Sequence, residues 1–348
     1  MKASFVSSSA VSEAMRYSLM KTQAALAKAQ KEQTTGFFAD KGQALGARSS
    51  QSVTFNRELE RINGIVDSNT RAAARLSSTQ IALSQVSDTA QNFLSLLATV
   101  ISGNAMPHVV TNGAKHVLAS LDAMFNTSMD GEYLFAGINT DVRPLNDLQD
   151  PATNGKIAFD DAFFNRFGFT ASDPAASSIT AADMDDFLTN IVEPQFLGAG
   201  WQNWSNASDQ VIVSRISLND TTETSVSANG AAPRKLAMAA TLMNELMTGN
   251  LNTAASKALV ERSFALVGEA ISDLVKQRSE VGIAEKRVAD ASDRLEQQST
   301  LIQKHILATE GVDPYEAAAR VSDLLSHIET AYAITARIQQ LSLLRYLS

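Results

Sequence analysis

Two stretches of this sequence keep a helical apolar step unbroken for far longer than a compact domain can hold. The first runs Ile62, Ile65, Asn69, Ala72, Leu76, Thr79, Leu83, Val86, Ala90, Phe93, Leu97, Val100. The second runs Val260, Ser263, Val267, Ala270, Leu274, Gln277, Val281, Ala284, Val288, Ala291, Leu295, Gln298, Ile302, His305. Each step is three or four residues, the spacing that keeps side chains on one helix face. A helix of about 55 residues spans roughly 80 Å. A globule of 348 residues has a radius of gyration of only about 20 Å. The seams therefore predict a mainly α chain, an elongated rod of long antiparallel helices supplied by its N- and C-terminal segments. Aromatics make up 6% of residues and prolines number 7, which favours long, thinly packed helices over one dense core.

Periodicity, caps and breakers predict helices over 9–33, 54–102 (capped by Ser52 or Thr54), 112–129, 181–192, 234–248, 253–309 and 313–348. Residues 36–50, GFFADKGQALGARSS, hold three glycines and no helical period, so an extended connector is expected. In DGEYLFAG, residues 130–137, glycines bracket a short apolar and aromatic run, as in a buried hairpin strand. From 138 to 232 the character changes: most prolines and both tryptophans lie here, with strand-like runs at 156–159, 211–217 and 222–228. This segment is expected to be a mixed, β-rich insertion domain. The predicted organisation is three-part: 1–35 with 312–348 as terminal assembly helices, 36–137 with 233–311 as the helical rod, and 138–232 as the insertion.

The last helix carries the second constraint. Asp313 is placed to cap it, Pro314 fits its first turn and Glu316 stands at the capping-box position. A stripe follows through Ala317, Val321, Leu324, Ile328, Ala331, Thr335 and Ile338. The chain then closes on Leu341, Leu343, Leu344, Tyr346 and Leu347. Burying five such side chains is worth about 10 kcal/mol, so this ending is built to be covered. The N-terminal helix, with Val11, Met15, Leu19 and Leu26 along its seam, is too short to cover it alone. Contacts between subunits are therefore expected at Val11, Met15, Leu19, Leu26, Leu324, Ile328, Tyr332, Ile338, Leu341, Leu344, Tyr346 and Leu347. Such helices gain most of their stability from packing, so both ends are expected to be mobile in a dilute monomer.

Several function classes fall away. Charge is mixed and slightly acidic, net −8, with no basic patch interleaved with aromatics, which argues against nucleic-acid binding. There is no cysteine, which removes disulfides and thiolate chemistry and suits a chain exported unfolded. The N-terminus lacks the apolar core of a cleaved secretory signal, and no apolar run is long enough to span a bilayer. His108, His116, His305 and His327 fall in no metal-ligand spacing, and Asp183, Asp185 and Asp186 lack the glycine and closing glutamate of a calcium loop. No phosphate-binding glycine loop or nucleophile elbow occurs. No enzyme activity, cofactor or metal is expected.

The order of helix, connector, long helix, Gly131-Glu132-Tyr133-Leu134-Phe135-Ala136-Gly137, insertion, long helix and apolar C-terminal helix resembles the flagellin superfamily of axial proteins. The 131–137 motif is most similar to the hook–filament junction branch, hook-associated protein type 3. Arg278 to Arg287, RSEVGIAEKR, resembles the family's R-x-x-x-G-x-x-x-x-R segment, and Asp313, Glu316, Ala331-Tyr332 and Leu341-Ser342-Leu343-Leu344 its last helix. Around Ala39-Asp40-Lys41-Gly42 the chain departs from the double aspartate and proline the family often shows. The resemblance implies an extracellular structural protein of the bacterial flagellum, exported by the type III route without a cleaved signal. It implies as partners flagellin, a neighbouring hook-associated protein, copies of itself in a ring and an export chaperone at the C-terminal helix. A divergent filament flagellin and a type III secreted coiled-coil effector or tip protein are the alternatives.

Overall fold

A computed structural model describes residues 8–103, 106–247 and 250–347, with side chains in the last helix described through Arg337. The chain is mainly helical. In order it forms α1 (Ser8–Thr35), α2 (Lys41–Leu45), α3 (Ser49–Ile101), α4 (Pro107–Phe125), the β1–β2 hairpin (Ser128–Met129, Glu132–Tyr133) and α5 (Asn154–Phe167). Then come α6 (Ala181–Phe187), α7 (Glu193–Phe196), the β3–β4 pair (Val213–Arg215, Thr221–Glu223), α8 (Ala231–Leu246), α9 (Thr253–Glu310) and α10 (Pro314–Leu347). Packing groups the described residues into two compact units, one from 1–64 and 295–348 and one from 65–294.

In the first unit the connector is more ordered than its glycines suggest. Asp40 accepts from the Gln43 amide at 3.0 Å and so starts α2. A 3-10 turn at Gly46–Arg48 then leads into α3 at Ser49, ahead of the expected start. Ser52 does not cap: it is buried, and its hydroxyl donates to Glu310.

In the second unit the first seam is buried from Asn69 to Leu97 and the second from Val260 to Ala291, with Gln277 half-buried. α3 and α9 meet there, with Asn69 donating to Ser292 Oγ at 3.1 Å. α4 begins earlier than expected, because Pro107 costs nothing in a first turn and Met106 before it is extended. α8 is buried on every side from Leu236 to Met243, as a central helix must be when apolar and alanine-rich all round. In the β1–β2 hairpin, Asp130 and Gly131 both take positive φ, 54° and 86°, the turn that Asp-Gly favours. Leu134, Phe135 and Ala136 then plug into the core.

Residues 138–232 differ most from expectation. The run 156–159 is helical, within α5. Four residues are too few to separate a strand from one turn of helix; Phe159, Phe163 and Phe167 recur every four positions and all pack on Phe187. Pro194 does not end the 181–192 helix. A π turn at Leu188–Val192 carries it into α7, where the proline occupies the first turn. Strand content is limited to β3 and β4, antiparallel with Ser214 opposite Thr222. These elements share one hydrophobic core with α3, α4, α8 and α9 rather than closing over their own.

Both tryptophans belong to that core. Trp204 stacks on Phe196 at 4.8 Å, and Trp201 donates to the Asn229 carboxamide oxygen at 2.8 Å. Gly155 lies flat against Trp204, so an added Cβ would overlap the indole. Gly155→Ala should therefore destabilise by about 1–3 kcal/mol through overpacking. Gly64→Ala, in α3 with open space around it, should stabilise by about 0.5–1 kcal/mol. Opposite shifts in the urea midpoint check the pair.

Candidate assembly interface

α10 starts where the sequence places it. Asp313 Oδ1 accepts from the Tyr315 and Glu316 amides at 2.8 and 3.4 Å. The predicted capping box does not close: Glu316 turns to Arg320 one turn on, at 2.7 Å. α1 and α10 pack along each other. They run antiparallel, since Gln23 meets Tyr332 (3.0 Å) and Glu32 meets Arg320 (3.1 Å).

The α10 stripe lies in this contact. Ala317 and Ile328 are buried, and Val321, Leu324, Ala331 and Thr335 half-buried. On α1, Ala29 is buried and Val11, Met15, Leu19 and Leu26 are half-buried. The pair thus covers part of each stripe within one chain. Tyr332 stays 52% exposed, its hydroxyl accepting from Gln23. The side chains of Ile338, Leu341, Leu344, Tyr346 and Leu347 lie outside the described residues.

Pairing leaves other apolar side chains outward that the seams did not mark. Tyr17 is 70% exposed, Met20 61% and Tyr315 88%, and Leu325 and Ile334 are also exposed. A second stripe beside each seam was the available signal: Tyr17 and Met20 are three apart, and Leu325 and Tyr332 seven apart. Clustered exposure of this kind marks a surface to be covered.

The end of α1, the connector and the α9–α10 junction are tied into one hub around Glu310. Its carboxylate is buried. It accepts from Ser52 Oγ at 2.5 Å and Asn56 Nδ2 at 2.8 Å and pairs with Lys41. The backbones join beside it: Phe38 N donates to Glu310 O (3.0 Å) and Val312 N to Gly36 O (2.9 Å). Glu32 adds a second tie, accepting from the Ala39 amide at 3.2 Å as well as from Arg320. Burial alone would push the Glu310 carboxyl up; hydrogen bonds from Lys41, Ser52 and Asn56 outweigh it and hold the carboxyl below its ordinary value.

The two motifs that carry the resemblance have structural jobs in the second unit. Arg75 of α3 grips the 131–137 segment through Glu132 (2.8 Å) and the Tyr133 carbonyl (2.7 Å). Phe135 meets Phe125 edge to face at 4.8 Å. Arg287, which closes the Arg278–Arg287 motif, holds the β3–β4 turn through Asp220 (2.9 Å), the Thr221 carbonyl (3.1 Å) and Thr222 (3.2 Å). Among the described residues no group of carboxylates and histidines converges to hold a metal ion, and no helix is long and apolar enough to cross a membrane. His305 stacks on Phe55 at 5.5 Å.

Comparison with known proteins agrees with this layout. Residues 6–140 match the family description "Bacterial flagellin N-terminal helical region", and residues 264–347 match "Bacterial flagellin C-terminal helical region". No curated protein matches the chain significantly. A solved structure assigned as a flagellar hook-associated protein from Vibrio parahaemolyticus shares the fold, with a TM-score of 0.50 and 12% identity over 75% of this chain and 96% of that one. With its N-terminal and C-terminal helical regions both matched, the chain belongs to the bacterial flagellin family, whose members are structural proteins of the flagellum and not enzymes.

Proposed function

We propose that this protein is an axial adaptor of the bacterial flagellum, joining a hook-associated protein to the flagellin filament. The observation that carries the proposal is the α1–α10 pair, which exposes Tyr17, Met20, Leu325, Tyr332 and Ile334 after the two helices have packed on each other. That surface is the material of an assembly contact, and Val11, Met15, Leu19, Leu26, Leu324 and Ile328 set the pair that presents it. Ile338, Leu341, Leu344, Tyr346 and Leu347 extend the contact toward the end of α10. In this reading 1–35 with 312–348 form the inner assembly element, 36–137 with 233–311 the supporting body, and 138–232 the outer insertion. The subunits form a short ring beyond the cell after type III export, escorted by a chaperone on α10.

Filament flagellin is the second reading, because the matched helical regions serve both. The motif at 131–137 supports the junction role. Copy number separates them. Quantifying the chain in purified flagella should give a ring's worth per flagellum, and a strain lacking it should shed unpolymerised flagellin from intact hooks. Thousands of copies per filament would make it a flagellin; normal filaments in the deletion strain would end both readings.

A further inference from the structure

A pocket of about 320 Å³ opens in the 65–294 unit where the 198–209 segment meets the start of α8. That volume is at the small end for a ligand site. Its wall is fixed from behind. A Cβ on Gly198 would come within 2.6 Å of the Pro194 carbonyl oxygen, and one on Gly200 within 2.6 Å of the Gln195 Cα, so this backbone sits tight against α7. The polar groups around Trp201 are satisfied: Asn229 accepts from Trp201 and, at 2.7 Å, from Ser205, and donates to the Ala207 carbonyl and to Asp209, both at 2.8 Å. Arg234, in the first turn of α8, is the exception. It is half-buried, and its guanidinium lies over the Trp201 ring, 5.6 Å from the centroid. Among the described residues its one hydrogen bond is a long one, 3.4 Å to the Leu197 carbonyl, and its Nε is buried with no acceptor.

Arg75 and Arg262 also bury an unpartnered Nε, but each is paired with a carboxylate, Glu132 and Glu193. Arg234 has no such pair among the described residues. Arg278, half-buried and likewise unpaired, does not line the pocket, and neither does any lysine or other arginine. Burial makes the bare charge costly: it pulls the Arg234 guanidinium below its ordinary pKa, and the charge of Asp209 opposes this. A guanidinium with free N–H groups in a planar fork takes a carboxylate in two places. Asp209 stands exposed on the same lining, one oxygen on Asn229, and forms no ion pair with Arg234. Its charge repels a dianion and favours a ligand with a positive end. We infer that this pocket binds a free α-amino acid, its carboxylate on Arg234 and its ammonium toward Asp209. The inference goes beyond the assembly reading and does not rest on it, since none of these residues belongs to the α1–α10 pair.

Titration calorimetry on the full-length protein tests it, with glycine, acetate, methylamine and inorganic phosphate as probes. Glycine should bind. Acetate, which lacks the ammonium, should bind about tenfold more weakly, the loss of one charged contact. Methylamine and phosphate should give no measurable heat. Arg234→Gln should weaken glycine binding about tenfold or more. Arg234→Lys keeps the charge without the two-point bond and should fall between. Asp209→Asn should bring glycine down to the level of acetate. Arg234 packs on Trp201, so melting curves check that its variants fold. Asp209 is exposed, and Asp209→Asn reads the site even where Arg234→Gln unfolds. Three results overturn the site: no heat with glycine in the wild type, glycine binding unchanged by Asp209→Asn or by a folded Arg234→Gln, or phosphate binding as tightly as glycine. None of these touches the assembly reading, which copy number in purified flagella decides.

Discussion

A chain ending at Gln340 folds like the full protein but does not enter the flagellum. The eight residues removed carry Leu341, Leu343, Leu344, Tyr346 and Leu347. If assembly buries them, the contact loses up to about 10 kcal/mol of apolar burial, enough to take incorporation below detection. The hairpin, the tryptophan core and the Glu310 hub contain none of these residues, so circular dichroism and the thermal transition of the 54–309 region should match the full chain. Immunoblots of purified flagella report incorporation, and the culture medium reports export. The truncated chain should appear in the medium and be missing from flagella. A full-length Leu341→Ser, Leu344→Ser variant should show the same split without changing chain length. Normal incorporation of either variant would remove the end of α10 from the assembly contact.

Glu310→Ala should loosen the junction between the paired helices and the connector. Lys41 is half-exposed and can turn to water, so its lost pairing costs little. Ser52 loses its acceptor in a buried site, at about 1–3 kcal/mol, while half-buried Asn56 loses one of two acceptors and keeps the Ser52 carbonyl. The expected destabilisation is about 1–4 kcal/mol on this count. It should be read first as faster amide exchange at 36–45 and 310–313, where the Phe38–Glu310 and Val312–Gly36 backbone bonds would open. The effect has a definite pH sign. A carboxyl held below its ordinary value contributes stability that is fully present above its unfolded pKa of about 4.3. That contribution is lost as pH falls through the lower folded value. The difference between wild type and Glu310→Ala should therefore be constant near neutrality and shrink in acid. Glu310→Gln keeps one acceptor and should lose less, with no such acid dependence. Unchanged exchange at the connector in Glu310→Ala would show that the backbone bonds alone hold the junction.

The long helices were legible because their signal is redundant. Around each seam from Ile62 to Leu97 and from Val260 to Leu295, no single residue decides the period, and a polar intruder such as Asn69 or Ser263 does not erase it. Short elements had no such redundancy. Residues 156–159 read as a strand until Phe159, Phe163 and Phe167 are all seen to pack on Phe187. Asp40 began a helix in a connector that its glycines marked as extended. The assembly surface was legible in part: one face of α1 and α10 was readable as a stripe, but that face is the one the two helices use on each other. Tyr17, Met20, Leu325 and Ile334, on the remaining surface, stood out only once the pair had formed.

The sequence by itself determined the helical class, the two long seams, the helix start at Asp313, and the apolar excess of the last helix. All of these are local or periodic properties, written in spacing and composition. Only the tertiary structure decided which residues meet. Glu310 and its partners Lys41, Ser52 and Asn56 are separated by more than two hundred positions in the chain, and nothing in their local surroundings announces the pairing. The same holds for Arg75 on the 131–137 motif and for Arg287 on the β3–β4 turn. Periodicity tells a residue which way to face along its own helix; what it faces is set by the fold as a whole.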